Sequence, residues 1–237
     1  MRLYLIRHGQ STNNYLFATQ ESEAGRSFDP ELTPLGQRQA QCLAEYLSSW
    51  QNGSDPFCFA ITHLYTSPML RAVDTGLPAA RALGLPLVAW KDLHEGGGLF
   101  LKDEGTGVNV GQPGPDRATM AARFPELVWP PEMGNGPWWN RPSDEAPEER
   151  MPRARRVLDE LLRRHPAESS DDVVFFTHAA FSNYFIAALL GLQEYRAPVW
   201  FSFYNAAITC FEFRPESEVR ILFQNRTAHL PQDMITD

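Results

Sequence analysis

Two segments that lie far apart in the chain carry residues suited to the same chemistry. "LYLIRHG" ends on Arg7, His8 and Gly9, and "DDVVFFTH" ends on His178. A neutral imidazole is a nucleophile toward phosphorus, and a guanidinium binds phosphate oxygens in pairs. The charge of Arg7 disfavours the imidazolium form of His8 and leaves a ring nitrogen free to attack. Since His178 can hydrogen-bond a transferring group as its charge shifts, the pair predicts phosphoryl transfer.

Further polar side chains follow other strand-like segments. Arg71 lies three residues after "TSP", and Glu95 lies in "LHEGGG", shortly after "LPLVAW". Arg71 supplies a second guanidinium, and Glu95 can protonate a leaving alkoxide. Gly9 allows the backbone to approach a bound phosphate closely, and Ser11 and Asn14 add uncharged donors.

The elements that must position these residues are short apolar strands alternating with helices. Strands are predicted at "LYLI", "FAITHLYTS", "LPLVAW", "DDVVFFTH" and in a closing hairpin, "AAITCFEF" and "EVRILFQN" around "RPES". Helices are predicted from Pro34, with Thr33 as N-cap, from Pro68 to Leu83, from about Glu148 to Arg164 and over "FSNYFIAALLG". Pro78 is expected to kink or split the second of these. This alternation predicts a three-layer α/β/α fold with a mostly parallel central sheet.

In such sheets ligands bind beyond the carboxyl ends of the strands, where all these polar residues fall. One stretch breaks the alternation. Residues 96–147 are crowded with prolines and contain Trp129, Trp138 and Trp139. Because tryptophans supply apolar area to bury, disorder is disfavoured. We therefore predict a single domain over 1–237, with an insertion at about 96–147 that caps the active site. Within it, "GTGVNVG" is interpreted as a flexible loop, and the basic run that begins at Arg150 as a solvated helix face.

The amino-acid composition limits the classes of molecule that the protein can bind. The 237 residues are 43% apolar and 21% charged, with a net charge of −8, which argues against nucleic acid or an anionic membrane as partner. A small anionic substrate remains compatible, because a few arginines dominate the field inside a pocket. Cys42, Cys58 and Cys210 suggest no disulfide framework and favour a reducing cytoplasm. No H-x-H or H-x-x-x-H spacing occurs, so no metal and no cofactor are predicted. Nothing in the sequence indicates an oligomeric state.

Four motifs, in order, resemble those of the histidine phosphatase superfamily, also called the phosphoglycerate mutase-like family. They are "RHGQSTNN", "TSPMLRAVDT", "LHE" and "THAAFSN". The resemblance implies a phosphoglycerate mutase-like fold in which His8 is the phosphorylated nucleophile and Glu95 is the proton donor. It also implies a phosphate pocket completed by Arg7, Arg71 and His178, with substrate-side positions at Gly9, Ser11, Asn14 and Ala179.

Two departures from the family pattern bear on the activity. Ala179 stands where many relatives have glycine, so the N–H survives but the methyl group restricts approach. "GGGLF" follows Glu95, in place of the charged and aromatic pattern of the true mutases. The leading hypothesis is a metal-independent phosphatase that hydrolyses a small phosphorylated substrate through a phosphohistidine and releases inorganic phosphate. A cofactor-dependent phosphoglycerate mutase and a catalytically weak phosphate-binding member of the fold are the alternatives.

Overall fold

The computed structural model describes residues 1–20, 25–50, 60–195 and 199–237, so Cys58 lies outside the described residues. The strands are β1 (Arg2–Arg7), β2 (His63–Thr66), β3 (Leu87–Ala89), β4 (Phe100–Lys102), β5 (Asn109–Gly111), β6 (Leu127–Val128), β7 (Asp172–Thr177), β8 (Ile208–Phe213) and β9 (Val219–Arg226). The helices are α1 (Thr12–Gln20), α2 (Pro34–Trp50), α3 (Leu70–Leu83), α4 (Arg117–Arg123), α5 (Pro147–Arg164) and α6 (Ala179–Leu189). Among the described residues, no helix has both the length and the apolar character that crossing a membrane requires.

Seven strands form the central sheet, in the order β6-β3-β2-β7-β1-β8-β9. The five strands from β6 to β1 are parallel, whereas β8 is antiparallel to both β1 and β9. The predicted mostly parallel sheet and the predicted closing hairpin are therefore confirmed. The carboxyl ends of β1, β2, β3 and β7 lie along the same edge.

The central strands are apolar throughout because both faces of the sheet are covered. Alternate residues point to opposite faces, so each strand contributes to two separate cores. Tyr4, Ile6, Val174 and Phe176 join α2 and α3 in one buried cluster, whereas Leu3, Leu5, Val173 and Phe175 join α5 and α6 in another. This division confirms the three-layer arrangement.

The helix-terminus signals in the sequence work as predicted, with one exception. The Thr33 hydroxyl accepts the Gly36 N–H at 3.0 Å and so caps α2, which begins at Pro34. Gly84 ends α3 in the left-handed conformation, at φ 66°. The expectation that Pro78 splits α3 is wrong, because the helix continues through it. Burial of α3 between α2 and the sheet offsets the hydrogen bond that proline removes.

Residues 96–147, which the sequence predicts to be an insertion, are more regular than their sequence suggests. It contains the antiparallel pair β4 and β5, helix α4 and strand β6. The prediction of a loop over "GTGVNVG" is wrong for its last residues, which form β5. Strand β6 pairs in parallel with β3, Leu127 beside Leu87, so the insertion also extends the central sheet. Trp129, Trp138 and Trp139 are buried in the core on the α2 and α3 side, so they bury the apolar area that argued against disorder.

Candidate active site

Three strand ends bring the predicted histidines together. The His8 N–H donates to the Thr177 carbonyl at 2.9 Å, and the Ser67 N–H donates to the Phe176 carbonyl at 3.0 Å. The residues after β1 and β2 are thereby fastened to the end of β7, which leads directly into His178. The rings of His8 and His178 lie with their centroids 5.1 Å apart. The structure thus places these two histidines together at the carboxyl edge of the sheet, as the sequence predicts.

His8 is held as a neutral imidazole with one nitrogen directed at an arginine. Its Nδ1 lies 2.7 Å from the Gly9 carbonyl and can only donate there, so Nε2 carries the lone pair. The Arg71 Nε–H donates to Nε2 at 3.1 Å. Burial lowers the pKa of His8 well below its usual value, and Arg71 and then Arg7 lower it further. Burial and Arg71 thus lower this pKa more than Arg7, the neighbour that the sequence indicates.

Arg71 reaches His8 from the first turn of α3. It is buried, and its Nη1 lies 3.9 Å from Oδ1 of Asp29. The same Asp29 oxygen accepts the Leu70 N–H at 3.1 Å, at the start of α3. Burial raises the pKa of Asp29 to about 7, although Arg71 opposes that rise. Asp29 is thus a positioning partner of Arg71 that the sequence reasoning missed.

Arg7 is anchored by the end of the chain. Its Nη1 donates to the Phe203 carbonyl and, at 3.0 Å, to the Asp237 carboxylate. Burial lowers the pKa of Arg7, while Asp237 and Glu95 oppose the shift. Glu95 also opposes the lowering of the Arg71 pKa by burial, so its carboxylate acts electrostatically on both guanidinium groups of the site.

His178 is fully buried beside a serine that ends β2. Its Nε2 lies 2.8 Å from Ser67 Oγ, and its Nδ1 has no hydrogen-bond partner among the described residues. Burial, followed by Arg71 and His8, lowers the pKa of His178 well below its usual value. A buried polar atom without a partner costs about 1–3 kcal/mol, which a bound polar ligand can recover.

Glu95 sits on the amino terminus of α6. Its Oε1 accepts the N–H groups of Gly96 at 2.8 Å and Phe181 at 3.1 Å, and Oε2 accepts that of Ala180 at 3.4 Å. The positive end of the helix dipole favours a carboxylate at this place. Ala179, the residue before them, begins α6 directly after His178. The first turn of α6 thus binds Glu95 and directly follows His178, so it holds these two residues near each other.

A buried ion pair fixes the loop before Glu95. Arg153 of α5 binds Glu145 through Nε at 2.6 Å and Nη2 at 2.7 Å, and its Nη1 donates to the carbonyls of Asp92 and His94. Both charged side chains are 3% exposed. The prediction of a solvated basic face is therefore wrong for Arg153. This residue joins the end of the insertion to the Glu95 loop.

Replacing Arg153 with methionine is expected to lower the free energy of unfolding by about 3–5 kcal/mol, because Glu145 is then buried without its partner. Urea denaturation measures the loss. Arg163→Met is a matched control on the same helix, because Arg163 is 70% exposed and its pair with Glu160 is worth at most about 1 kcal/mol. The double variant Arg153→Met/Glu145→Leu should recover part of the stability. No recovery would show that the buried charge is not the cause.

Ser11 and Asn14 bond each other in this structure. Asn14 Oδ1 accepts the N–H and the hydroxyl of Ser11, and Ser11 Oγ accepts the Asn14 N–H at 3.2 Å. This reciprocal box caps α1. The buried Asn205, which the sequence reasoning missed, donates to the His8 carbonyl at 3.2 Å and to Asn14 Oδ1 at 3.4 Å. The box is therefore linked to the backbone of His8.

Gly9 has a packing reason to be glycine. A Cβ there would lie 2.6 Å from the Gly36 carbonyl oxygen, so a side chain would push α2 away from the His8 loop. Its N–H donates to Thr75 Oγ1 at 3.0 Å, and that hydroxyl donates to the Arg71 carbonyl. The close packing of α2 against the His8 loop is thus sufficient reason for a glycine at position 9. The predicted close approach of this backbone to a phosphate is a separate reason.

Comparison with models of protein families shows which family the chain belongs to. The model of the histidine phosphatase superfamily (branch 1) matches residues 3–226. The chain belongs to this superfamily. Putative phosphoserine phosphatase 2 of Hydrogenobacter thermophilus is 39% identical over 95 residues, 40% of this chain and 39% of that protein. Human 6-phosphofructo-2-kinase/fructose-2,6-bisphosphatase 4 is 37% identical over 94 residues, 39% of this chain and 16% of that protein. A match to a bifunctional protein of Mycobacterium tuberculosis spans 22% of its length.

Solved structures share the fold. Mycobacterial glucosyl-3-phosphoglycerate phosphatase superposes with a TM-score of 0.60 at 22% identity, covering 95% of this chain and 99% of that one. Phosphoserine phosphatase of Entamoeba histolytica gives 0.58 at 18% identity, covering 97% and 99%. The α/β architecture implied by the resemblance to the superfamily is thereby confirmed.

Proposed function

We propose that this protein is a phosphatase that hydrolyses small phosphomonoesters through a phosphohistidine at His8. The observation that carries the proposal is the state of His8. Its Nδ1 is committed to the Gly9 carbonyl, its Nε2 lone pair faces the guanidinium of Arg71, and its lowered pKa keeps the ring neutral. A neutral, oriented imidazole beside buried guanidinium groups suits nucleophilic attack on a phosphate.

In the first step Nε2 of His8 attacks phosphorus, an N–P bond forms and the P–O bond to the leaving group breaks. Arg71 must exchange its bond to Nε2 for the phosphate oxygens. Arg7 and Nδ1 of His178, which has no partner among the described residues, are the further groups that would bind them. Once Arg71 has made this exchange, buried donors directed at the phosphate stabilise the charge that develops in the transition state. Glu95, which takes up a proton as the dianionic ester binds, delivers it to the leaving oxygen. In the second step it takes a proton from the water that splits the N–P bond and releases inorganic phosphate.

The substrate is small, and its recognition beyond the phosphate falls to residues 96–147, which we place as a cap over the site. His94, next to Glu95, packs its ring 5.0 Å from that of Trp139, and the Glu145 N–H donates to the Gly97 carbonyl. These contacts support a cap at the carboxyl edge. Hydrogen exchange with and without bound vanadate tests it, and slower exchange in the cap is the expected result. Unchanged exchange throughout the cap would contradict this placement.

The names of two relatives indicate where a substrate search should start. One is named for phosphoserine and another for glucosyl-3-phosphoglycerate, and both of these are alkyl phosphates that carry a carboxylate. A panel of such esters, with p-nitrophenyl phosphate as a generic substrate, should release inorganic phosphate. Rapid quenching should trap one acid-labile phosphoryl group per chain. Transfer to a phosphoglycerate acceptor without phosphate release would favour the mutase, and no turnover would favour the catalytically weak binding protein.

Vanadate should inhibit and chelators should not. Vanadate adopts the five-coordinate geometry of phosphoryl transfer, and such transition-state analogues bind about 10²–10⁸-fold more tightly than substrates. The proposed steps use side chains alone, so EDTA should leave the rate unchanged. Initial rates with each compound check both statements. Loss of activity in EDTA, with recovery on adding a divalent metal, would instead favour a metallohydrolase.

The cysteines indicate the compartment in which we place the protein. Cys42 and Cys210 are free, and Cys210 is buried within β8. Free thiols persist in a reducing compartment, so we place the protein in the cytoplasm. Thiol titration of the unfolded protein, isolated without reductant, tests this placement, and blocked thiols would oppose it.

A further inference from the structure

A cluster of metal-ligating side chains lies at the edge of the sheet opposite the active site. His63 begins β2, His165 follows the last residue of α5, and Asp171 precedes β7. One potential ligand atom from each lies within 4.8 Å of the others. Strand β7, six residues long at roughly 3.3 Å per residue, separates this cluster from His178 by about 20 Å. The proposed phosphatase mechanism uses none of these three residues.

The side chains are already arranged as metal ligands usually are. His165 Nδ1 lies 2.8 Å from Asp171 Oδ2, and the rings of His63 and His165 lie 4.5 Å apart. The remaining nitrogen of His165, Nε2, bonds the Tyr65 hydroxyl at 3.0 Å, and His63 Nδ1 bonds the Thr62 hydroxyl at 2.8 Å. Hydrogen bonds of this kind to a second ring nitrogen orient metal-binding histidines.

We propose that His63, His165 and Asp171 bind a divalent transition-metal ion of the zinc class. Two imidazoles and one carboxylate form a ligand set typical of Zn²⁺ and unlike the all-oxygen sets that Mg²⁺ and Ca²⁺ prefer. Water completes a four-coordinate site. His63 and Asp171 are partly exposed, which gives the ion a route in, whereas His165 is buried and rigidly held.

Metal binding breaks the hydrogen bond between His165 Nδ1 and Asp171 Oδ2 and moves one proton. Without metal, His165 donates from Nδ1 to Asp171 and accepts from Tyr65. With metal, its proton moves to Nε2 and is donated to the Tyr65 oxygen, while Nδ1 and the Asp171 carboxylate coordinate the ion. The metal bonds join β2, the end of α5 and the start of β7, which lie up to about 100 residues apart in the chain. An ion that binds only the folded state stabilises it by mass action, so we expect the ion to raise the stability of this protein.

The test is a metal titration of the full chain after removal of bound ions with EDTA and dialysis. Calorimetry with Zn²⁺ should give one ion per chain, and Co²⁺ should show the intense visible absorption of four-coordinate cobalt. Free Zn²⁺ at 100 times its dissociation constant should raise the ratio of folded to unfolded protein about 100-fold. Stability must be measured as well as activity, because the ion is not expected to change the rate.

Variants distinguish this site from adventitious binding. His63→Ala and Asp171→Asn should each weaken Zn²⁺ about 10–100-fold or more, which is the loss seen when even an outer hydrogen-bond partner of a ligand is removed. Asp159→Asn, which alters an exposed carboxylate on α5, should bind as tightly as the wild type. No saturable binding, or equal binding by all three variants, would overturn the proposal. Hydrolysis assayed in EDTA reports on His8 separately, so neither result depends on the other.

Discussion

Replacing His8 with alanine is expected to abolish hydrolysis of every phosphomonoester. No other side chain at the carboxyl edge presents a neutral nitrogen with its lone pair turned toward a guanidinium, within the described residues. Removal of a catalytic nucleophile typically lowers kcat about 10⁴–10⁶-fold. Rates measured at saturating p-nitrophenyl phosphate, together with quench-flow trapping of the phosphoenzyme, would record both the lost turnover and the lost covalent intermediate.

The control is Asp159→Asn on the exposed face of α5, outside both proposed sites, which should keep the wild-type rate. Circular dichroism of His8→Ala establishes that the variant is folded, since the Gly9 loop loses the hydrogen bond from Nδ1. A folded His8→Ala enzyme that hydrolyses at the wild-type rate would end the proposal of a phosphohistidine at this residue.

The residues at the strand ends were predictable because parallel strands impose their placement. A strand that is buried on both faces ends at an edge of the sheet. Because neighbouring parallel strands run in the same direction, their carboxyl ends lie at the same edge. The sequence therefore predicts that Arg7, His8, Ser67 and His178 lie close together, and this prediction does not depend on the paths of the loops. Arg71 follows from the same argument, because it lies in the first turn of α3, the helix that follows β2.

Partners supplied by irregular segments were not predictable in this way. Asp29 and Asn205 come from loops whose paths depend on tertiary packing, and neither belongs to a periodic pattern. Arg153 lies in a helix rich in arginine, and its burial depends on Glu145 and on the carbonyls of Asp92 and His94, which come from other segments. The spacing of Ser11 and Asn14 fits a helix cap as well as a ligand contact, so sequence alone does not separate the two.

The insertion shows how proline and glycine obscure a short strand. Strand β6 has two residues, Leu127 and Val128, which is too short for any alternation to be visible. The glycines after Glu95 are explained by conformation. Gly97 and Gly98 have φ values of 93° and 71°, and a Cβ on Gly98 would lie 2.2 Å from the Trp139 ring. The run that departs from the mutase pattern is thus the turn by which the chain enters the insertion.

Glu95→Gln is expected to slow an alkyl phosphate far more than p-nitrophenyl phosphate. An alkoxide is strongly basic and needs a proton as it leaves, whereas nitrophenolate leaves without one. General acid catalysis contributes about 10²–10⁴-fold, so the alkyl ester should lose that factor while the aryl ester loses little. Single-turnover rates for both substrates isolate phosphorylation of His8, the step in which the proton is delivered.

The substitution is conservative at this position. Glutamine keeps the length of Glu95 and an oxygen that can accept the N–H groups of Gly96 and Phe181, which now bond Oε1. Glu104→Gln, an exposed acid of the insertion, is the matched control and should leave both rates unchanged. Equal slowing of the two substrates by Glu95→Gln would mean that Glu95 serves binding or structure. The proton would then have to come from another group near the loop, of which Asp92 and His94 are the first to test.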